Sequence, residues 1–402
     1  MELGKWIFLI MAYILSTERL AKDFNQALHL HFQGNVGNYN ATKWDAIIGS
    51  NTVDDTNGGV KDSLISSFKT SWENDGVYNW VFTKHASNPL IWRAYSSYRE
   101  FYPPCIIQES ATDYKILGKV NGEGEAYNSA DGVSFTYDSK FLSKGTAGQW
   151  DEIQASPNLL RKVGSTYYCF YSGYSDAGTP NHKIGLATVG SWAAFSKDAG
   201  NPILTVAPYN TANSTNYDGI SISDAVLVGT TWYYFGHVYN NAFTSCDLVY
   251  GVGSPGGSIS TVVLDTKIAS LSQIHNDWGW MQSPSVFKHP TTGKWMLTFT
   301  LGRLIQDTST DNQALYCFAS QRTDAPVFTI DDFICKPIMT PDTTKDYENN
   351  YNYAANWLKD NEGNLITVGG KYRMYYSGHE NTAGYVYTGC TCLGEASTIP
   401  QI

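Results

Sequence analysis

Residues 156–174 read SPNLLRKVGSTYYCFYSGY, and residues 183–204, a few positions on, read KIGLATVGSWAAFSKDAGNPIL. Runs such as TYYCFY set β-branched or aromatic residues against small ones in alternation, as half-buried strands do, and Gly164 breaks the first stretch into two strands. The same unit recurs along the chain. Its opening strands are FYPPCII from Phe101, IQASPNLL from Ile153, ISDAVLV from Ile222, MQSPSVF from Met281 and YAANWLK from Tyr353. Each is followed by a Tyr- or Trp-rich second strand: YKILGKV, STYYCFYSGY, TTWYYFGHVY, GKWMLTFTLG and GKYRMYYSGH. The intervening DG, GK and NEGN segments carry hairpin-turn chemistry. Five copies at a spacing of roughly sixty residues define an architecture before any single strand is assigned. Repeated radially with four short strands per unit, they predict an all-β fold, a five-bladed β-propeller; a sandwich gives no reason for five copies.

Length and composition agree. A chain of 402 residues would suggest two or three domains by length alone, but the repeat argues for one. The chain is 42% hydrophobic and 16% charged, with 36 Gly, 28 Tyr, 17 Phe and 12 Trp, a mixture suited to many short strands and tight turns. The formal charge of −10 opposes attraction to phosphate backbones and anionic lipid, so nucleic acid is not expected as a partner. Seven scattered cysteines (Cys105, Cys169, Cys246, Cys317, Cys335, Cys390, Cys392) contain no CxxC pair and are read as small buried hydrophobes.

Residues 1–87 lie outside the repeat and are expected to form a short helical and irregular N-terminal extension, with the propeller over 88–402. The strand around Asn88 to Tyr95 is expected to close the ring against the last unit. The ten apolar residues from Trp6 to Leu15 are too few to span a bilayer. They fit either the apolar region of a secretory signal or a retained helix; Glu2 and the lack of an A-x-A site weigh against the first. Asn40 and Asn213 lie in N-x-[ST] sequons.

The succession SPNLL, GSTYYCFYSGY, IGLATVGSWAAF and NPIL resembles the five-bladed propeller glycoside hydrolases, the superfamily of arabinanases, β-xylosidases, invertases and mannoside phosphorylases. The resemblance covers about residues 95 to 395. It implies that first strands line a central channel, that acids at their starts converge on a sugar, and that a hydrated Ca²⁺ on the axis would be unsurprising, although no cluster here has metal-ligand spacing and no other cofactor is implied. Cleaving a glycosidic bond needs one carboxylic acid to protonate the leaving oxygen and a second carboxylate as nucleophile or base.

On that resemblance Asp224, in SISDAVLV, matches the superfamily's blade-start Asp, and Asp151 or Glu152, in QWDEIQASP, is its expected partner, with Asp277 in HNDWGW in support. Trp150, Trp278 and Trp280 are expected as stacking platforms, and His237, Arg303 and His379, at the ends of second strands or beyond, as hydroxyl binders. Gln282 stands where an arabinanase-type pattern places its acid, and the first unit offers Pro103 and Pro104 with no acid. Two readings therefore stand: a hydrolase working by paired carboxylates in the channel, and a non-catalytic glycan-binding propeller such as a surface or virion attachment protein. Both put the chain outside the cell or on a cell or virion surface. A scaffold meeting only protein would instead show a large exposed apolar patch.

Overall fold

The computed structural model describes residues 82–400 except 93, 96–97, 100, 177–180, 243, 275–279, 303–313, 340–344, 346–350 and 381–387. The expected N-terminal helix lies outside the described residues, as do Asp277, Trp278 and Arg303.

The alternating runs form four four-stranded antiparallel sheets and a fifth of five strands, in which the short Thr367–Val368 strand also pairs with the second strand. Blade one takes Tyr102–Ser110, Asp113–Val120, Glu123–Ser129 and Thr136–Leu142. Blade two takes Gln154–Val163, Thr166–Tyr174, Lys183–Val189 and Ser196–Lys197. Blade three takes Gly219–Val228, Thr231–Tyr239, Cys246–Val252 and Thr266–Ser270. Blade four takes Trp280–Lys288, Trp295–Gly302, Ala314–Ala319 and Phe333–Met339. Blade five takes Tyr351–Trp357, Lys371–Glu380 and Thr388–Ala396, and its outermost strand comes from far upstream: Thr83–Lys84 pairs with Glu395 and Gly394. An Ile91–Thr391 bridge and the Asn88 amide, which bonds both the N–H and the carbonyl of Leu393, staple the same seam.

First strands pack against one another in a circle, each on the next and the fifth on the first. The apolar core is divided accordingly into five clusters, one per blade interface, from Leu117 and Leu160 between blades one and two to Phe101 and Tyr375 between five and one. Every first strand also carries a register shift at one equivalent place: Tyr102/Cys105, Pro157/Leu159, Ile222/Asp224, Gln282/Ser285 and Tyr353/Asn356. The prolines at these openings explain part of this. Proline cannot donate to a ladder, so it is tolerated on an inner edge strand and at a bulge.

At the far end of the first strands, three blades turn back through a glycine at positive φ: Gly164, Gly229 and Gly293. In the fifth blade this connection is longer, and residues 358–366 reach under the ring. The carbonyl of Asn361 accepts the Leu227 N–H (2.7 Å), its amide donates to the Lys162 carbonyl (2.8 Å), and the Gly363 carbonyl accepts the Lys288 N–H (2.8 Å). One loop, the floor loop, thus bonds blades two, three and four at the ends of their first strands remote from where those strands begin. Among the described residues no helix is long and apolar enough to cross a membrane.

Candidate functional site

Antiparallel register brings first-strand starts and second-strand ends together at one rim: Tyr102 faces Lys119, Gln154 faces Tyr174, Ser221 faces His237, Gln282 faces Thr300 and Tyr351 faces His379. Contacts then run round this mouth from blade to blade. In blade one the Lys119 ammonium donates to the Tyr102 hydroxyl (2.7 Å). In blade two the His182 ring lies within hydrogen-bond reach of the Gln154 amide (3.4 Å) and packs against Tyr174 and, across the interface, Tyr239. Asn158 and Ser172 of blade two both meet the Ser221 hydroxyl of blade three. His237 accepts the Ser283 N–H of blade four at Nδ1 (3.5 Å), which leaves its own proton on Nε2. Thr300 of blade four accepts the Ala354 N–H of blade five (2.9 Å). Finally His379 bonds the Tyr353 hydroxyl (3.1 Å), and both rings pack edge-on against Tyr102 of blade one, completing the circuit.

The three imidazoles are held neutral. Burial pushes His237 down to about 4; burial, then the neighbouring His237 and Lys119 charges, push His182 to about 3; burial and Lys119 push His379 to about 3. At neutral pH each ring is therefore an uncharged donor and acceptor. Asn352, fully buried at the start of the blade-five first strand, has neither amide atom bonded to a described protein group, and the buried Ser377 hydroxyl beside it is likewise unsatisfied. Groups so placed call for a polar partner inside the mouth.

Asp224 sits one layer deeper, past the bulge, with no exposed surface. Its Oδ1 is bonded by Arg161 and the Ala225 N–H, and its Oδ2 by Lys359, Ser285 and the Val286 N–H. Arg161 comes from blade two and Lys359 from the floor loop, so the carboxylate ties four blades together. Burial also lowers Lys359 to about 8, against the pull of Asp224.

The other expected residues are not gathered around it. Asp151 is buried and bonded to Tyr171 (3.0 Å) and to Lys197 (2.5 Å) on the outermost strand of blade two, with Trp150 stacked on Tyr171. Glu152 accepts the Gly148 N–H within its own loop (2.5 Å). Gln282 is half-buried at the mouth, and Trp280 is described only in its backbone. His237 and His379 stand at the mouth. Sequence reasoning passed over Lys119, Gln154 and His182. The first two occupy the same register positions as residues it did single out, so aligning strand ends, and not only strand starts, would have found them.

Among the described residues no three His, Cys, Asp or Glu side chains are grouped to hold a metal ion. The described mouth groups are mainly amide and hydroxyl oxygens and imidazole nitrogens, with the Asp218 carboxylate at the edge of the blade-three opening.

No protein-family model and no curated protein matches the chain. Solved structures do share its fold. An alpha-L-arabinofuranosidase from Lactobacillus brevis is 11% identical with a TM-score of 0.53, over 77% of this chain and 92% of that one. A structure described as a glycoside hydrolase is 12% identical with a TM-score of 0.50, over 84% and 96%. A GH32 beta-fructofuranosidase of Bombyx mori is 14% identical with a TM-score of 0.50, over 83% and 66%. What the chain shares with them is the architecture of the five-bladed propeller glycoside hydrolases.

Proposed function

We propose that this propeller recognises carbohydrate at the mouth of its axial channel and that recognition, without cleavage, is its function. One observation carries the reading: all five blades deliver hydrogen-bonding side chains to one rim, with tyrosine rings among them. Sugars offer hydroxyls in several directions and apolar ring faces, and a mouth of amides, hydroxyls, neutral imidazoles and tyrosines matches both. Asn352 and Ser377 supply buried polar atoms that a bound hydroxyl would satisfy.

Cleavage is the second reading, favoured by the similar structures, a glycoside hydrolase, an arabinofuranosidase and a beta-fructofuranosidase. It needs two carboxyl groups flanking the bond at about 5–10 Å from each other. Asp224 is a weak candidate because both its oxygens are committed to buried cations; Asp277 is the remaining candidate from the sequence. Probing a glycan array with the purified protein and screening the bound glycans for release of reducing sugar separates the readings. Binding without turnover is expected; turnover that Asp277→Asn abolishes would move the assignment to hydrolysis.

A further inference from the structure

We infer that the mouth holds a pyranose between two unlike walls, its C–H face against blades five and one and its hydroxyls toward blades two to four, and that it therefore prefers sugars with an axial hydroxyl at C4. The inference rests on the carbohydrate reading above and specifies its ligand. Each first strand ends its sheet, paired on one side only, so its other edge faces the axis of the ring. The residues inserted by the register shifts fall on that edge without a partner across the ladder. They are Pro103 and Pro104 in blade one, Asn158 in blade two, Ser223 in blade three, Ser283 and Pro284 in blade four, and Ala354 and Ala355 in blade five. Blades two, three and four thus each insert an amide or a hydroxyl, while blades five and one insert aliphatic side chains alone.

The neighbouring residues follow the same division. Tyr102 precedes Pro103 and Tyr353 precedes Ala354; the two rings pack edge to face (5.4 Å between centroids), and their hydroxyls are bonded to Lys119 and His379, so ring carbon is what they add to that wall. Opposite them the Ser223 hydroxyl, on a residue 9% exposed, is bonded to no described protein group, and the Asn158 amide meets the Ser221 hydroxyl across the blade interface (2.8 Å). Asn352 belongs to blade five but lies opposite Gly378, on the face whose Tyr376 packs in the core shared with blade four. Ser283 and Ala354, at equivalent positions of blades four and five, hold φ of 53° and 52°, a conformation costly outside glycine, so the backbone is strained where the two walls meet.

A pyranose with every hydroxyl equatorial alternates its C–H bonds between two faces. An axial C4 hydroxyl instead gathers the C3, C4 and C5 hydrogens on one face, a patch whose slight positive charge suits the negative face of a tyrosine ring. The hydroxyls are then left for the opposite wall, where the Ser223 hydroxyl needs a partner.

The test uses the full chain and methyl glycosides in pairs that differ only in configuration at C4, one hexose pair and one pentose pair, with affinity measured by calorimetry. The axial member of at least one pair should bind about 2- to 10-fold more tightly, the worth of one aromatic contact. Monodeoxy derivatives of that sugar are then compared on the protein and on Ser223→Ala, which removes a hydroxyl that bonds no described protein group and so leaves the fold intact. Ser223→Ala should weaken the parent sugar about 2- to 10-fold, whereas one deoxy derivative, already weakened to that extent, should lose nothing more. Equal or undetectable affinity within both pairs, or preference for the equatorial members, overturns the inference and leaves carbohydrate recognition on the array standing. The same loss on Ser223→Ala for every derivative also overturns it, and binding of no glycan removes both.

Discussion

Asp224 and its two cations are a closed account of charge: remove the carboxylate and Arg161 and Lys359 face each other, buried, with nothing between them. Breaking one member of a buried ion cluster typically costs about 3–5 kcal/mol, so Asp224→Asn should lower unfolding free energy by about that amount in urea titration. A catalytic Asp224 predicts the opposite pair of results, sugar release abolished and melting unchanged, so one variant tests both ideas. The histidines make a prediction about pH. His237 and His379 have folded values near 4 and 3 against an ordinary value near 6.5, so the unfolded chain binds more protons between those limits. Stability is complete above about 6.5 and is lost as pH falls, by about 2 kcal/mol per ring from pH 7 to pH 5. Replacing either by Asn should flatten the slope of a melting-versus-pH curve over that window. These environments were not readable from the sequence. Asp224 was found at a strand start, but Arg161 and Lys359 lie 63 and 135 residues away, and the bulge after Ile222 adds the one residue that turns a strand's side chains to the other face.

Among the elements, first strands and floor loop divide the labour. The repeat was legible because each opening strand needs the same things, a proline or small residue at an inner edge and an apolar run behind it, and each second strand needs alternating aromatics. The floor was not legible. Residues 358–366 hold the neighbouring blades largely with main-chain groups, the carbonyls of Asn361 and Gly363, which leave no mark on side-chain pattern. One residue there does report the constraint. Gly363 has φ of 84°, and a Cβ at that position would lie 2.8 Å from the Trp295 ring. Gly363→Ala should therefore destabilise the protein by about 1–3 kcal/mol, measurable by denaturant midpoint, whereas Gly293→Ala, at φ of 68° with open space around it, should cost only the backbone conformation.

At the scale of the whole molecule, five interfacial cores replace one central core, and stability depends on the ring being joined. The join is made by Thr83–Lys84 and by Asn88, whose amide forms two hydrogen bonds across the seam to Leu393, at 2.9 and 2.8 Å. Losing both through Asn88→Ala should cost about 1–3 kcal/mol and raise amide exchange first in the Thr388–Ala396 strand, as hydrogen exchange by mass spectrometry would show. The sequence pointed to a closing segment near here, since residues between the extension and the first repeat had no other blade to join; which backbone groups met was set by the last blade, three hundred residues downstream. The loop beneath the ring has a final consequence for stiffness. Because Asn361 and Gly363 clasp Lys162, Leu227 and Lys288, the inner strands of blades two, three and four cannot splay at that end without losing hydrogen bonds, so whatever play the ring has is confined to the opposite rim.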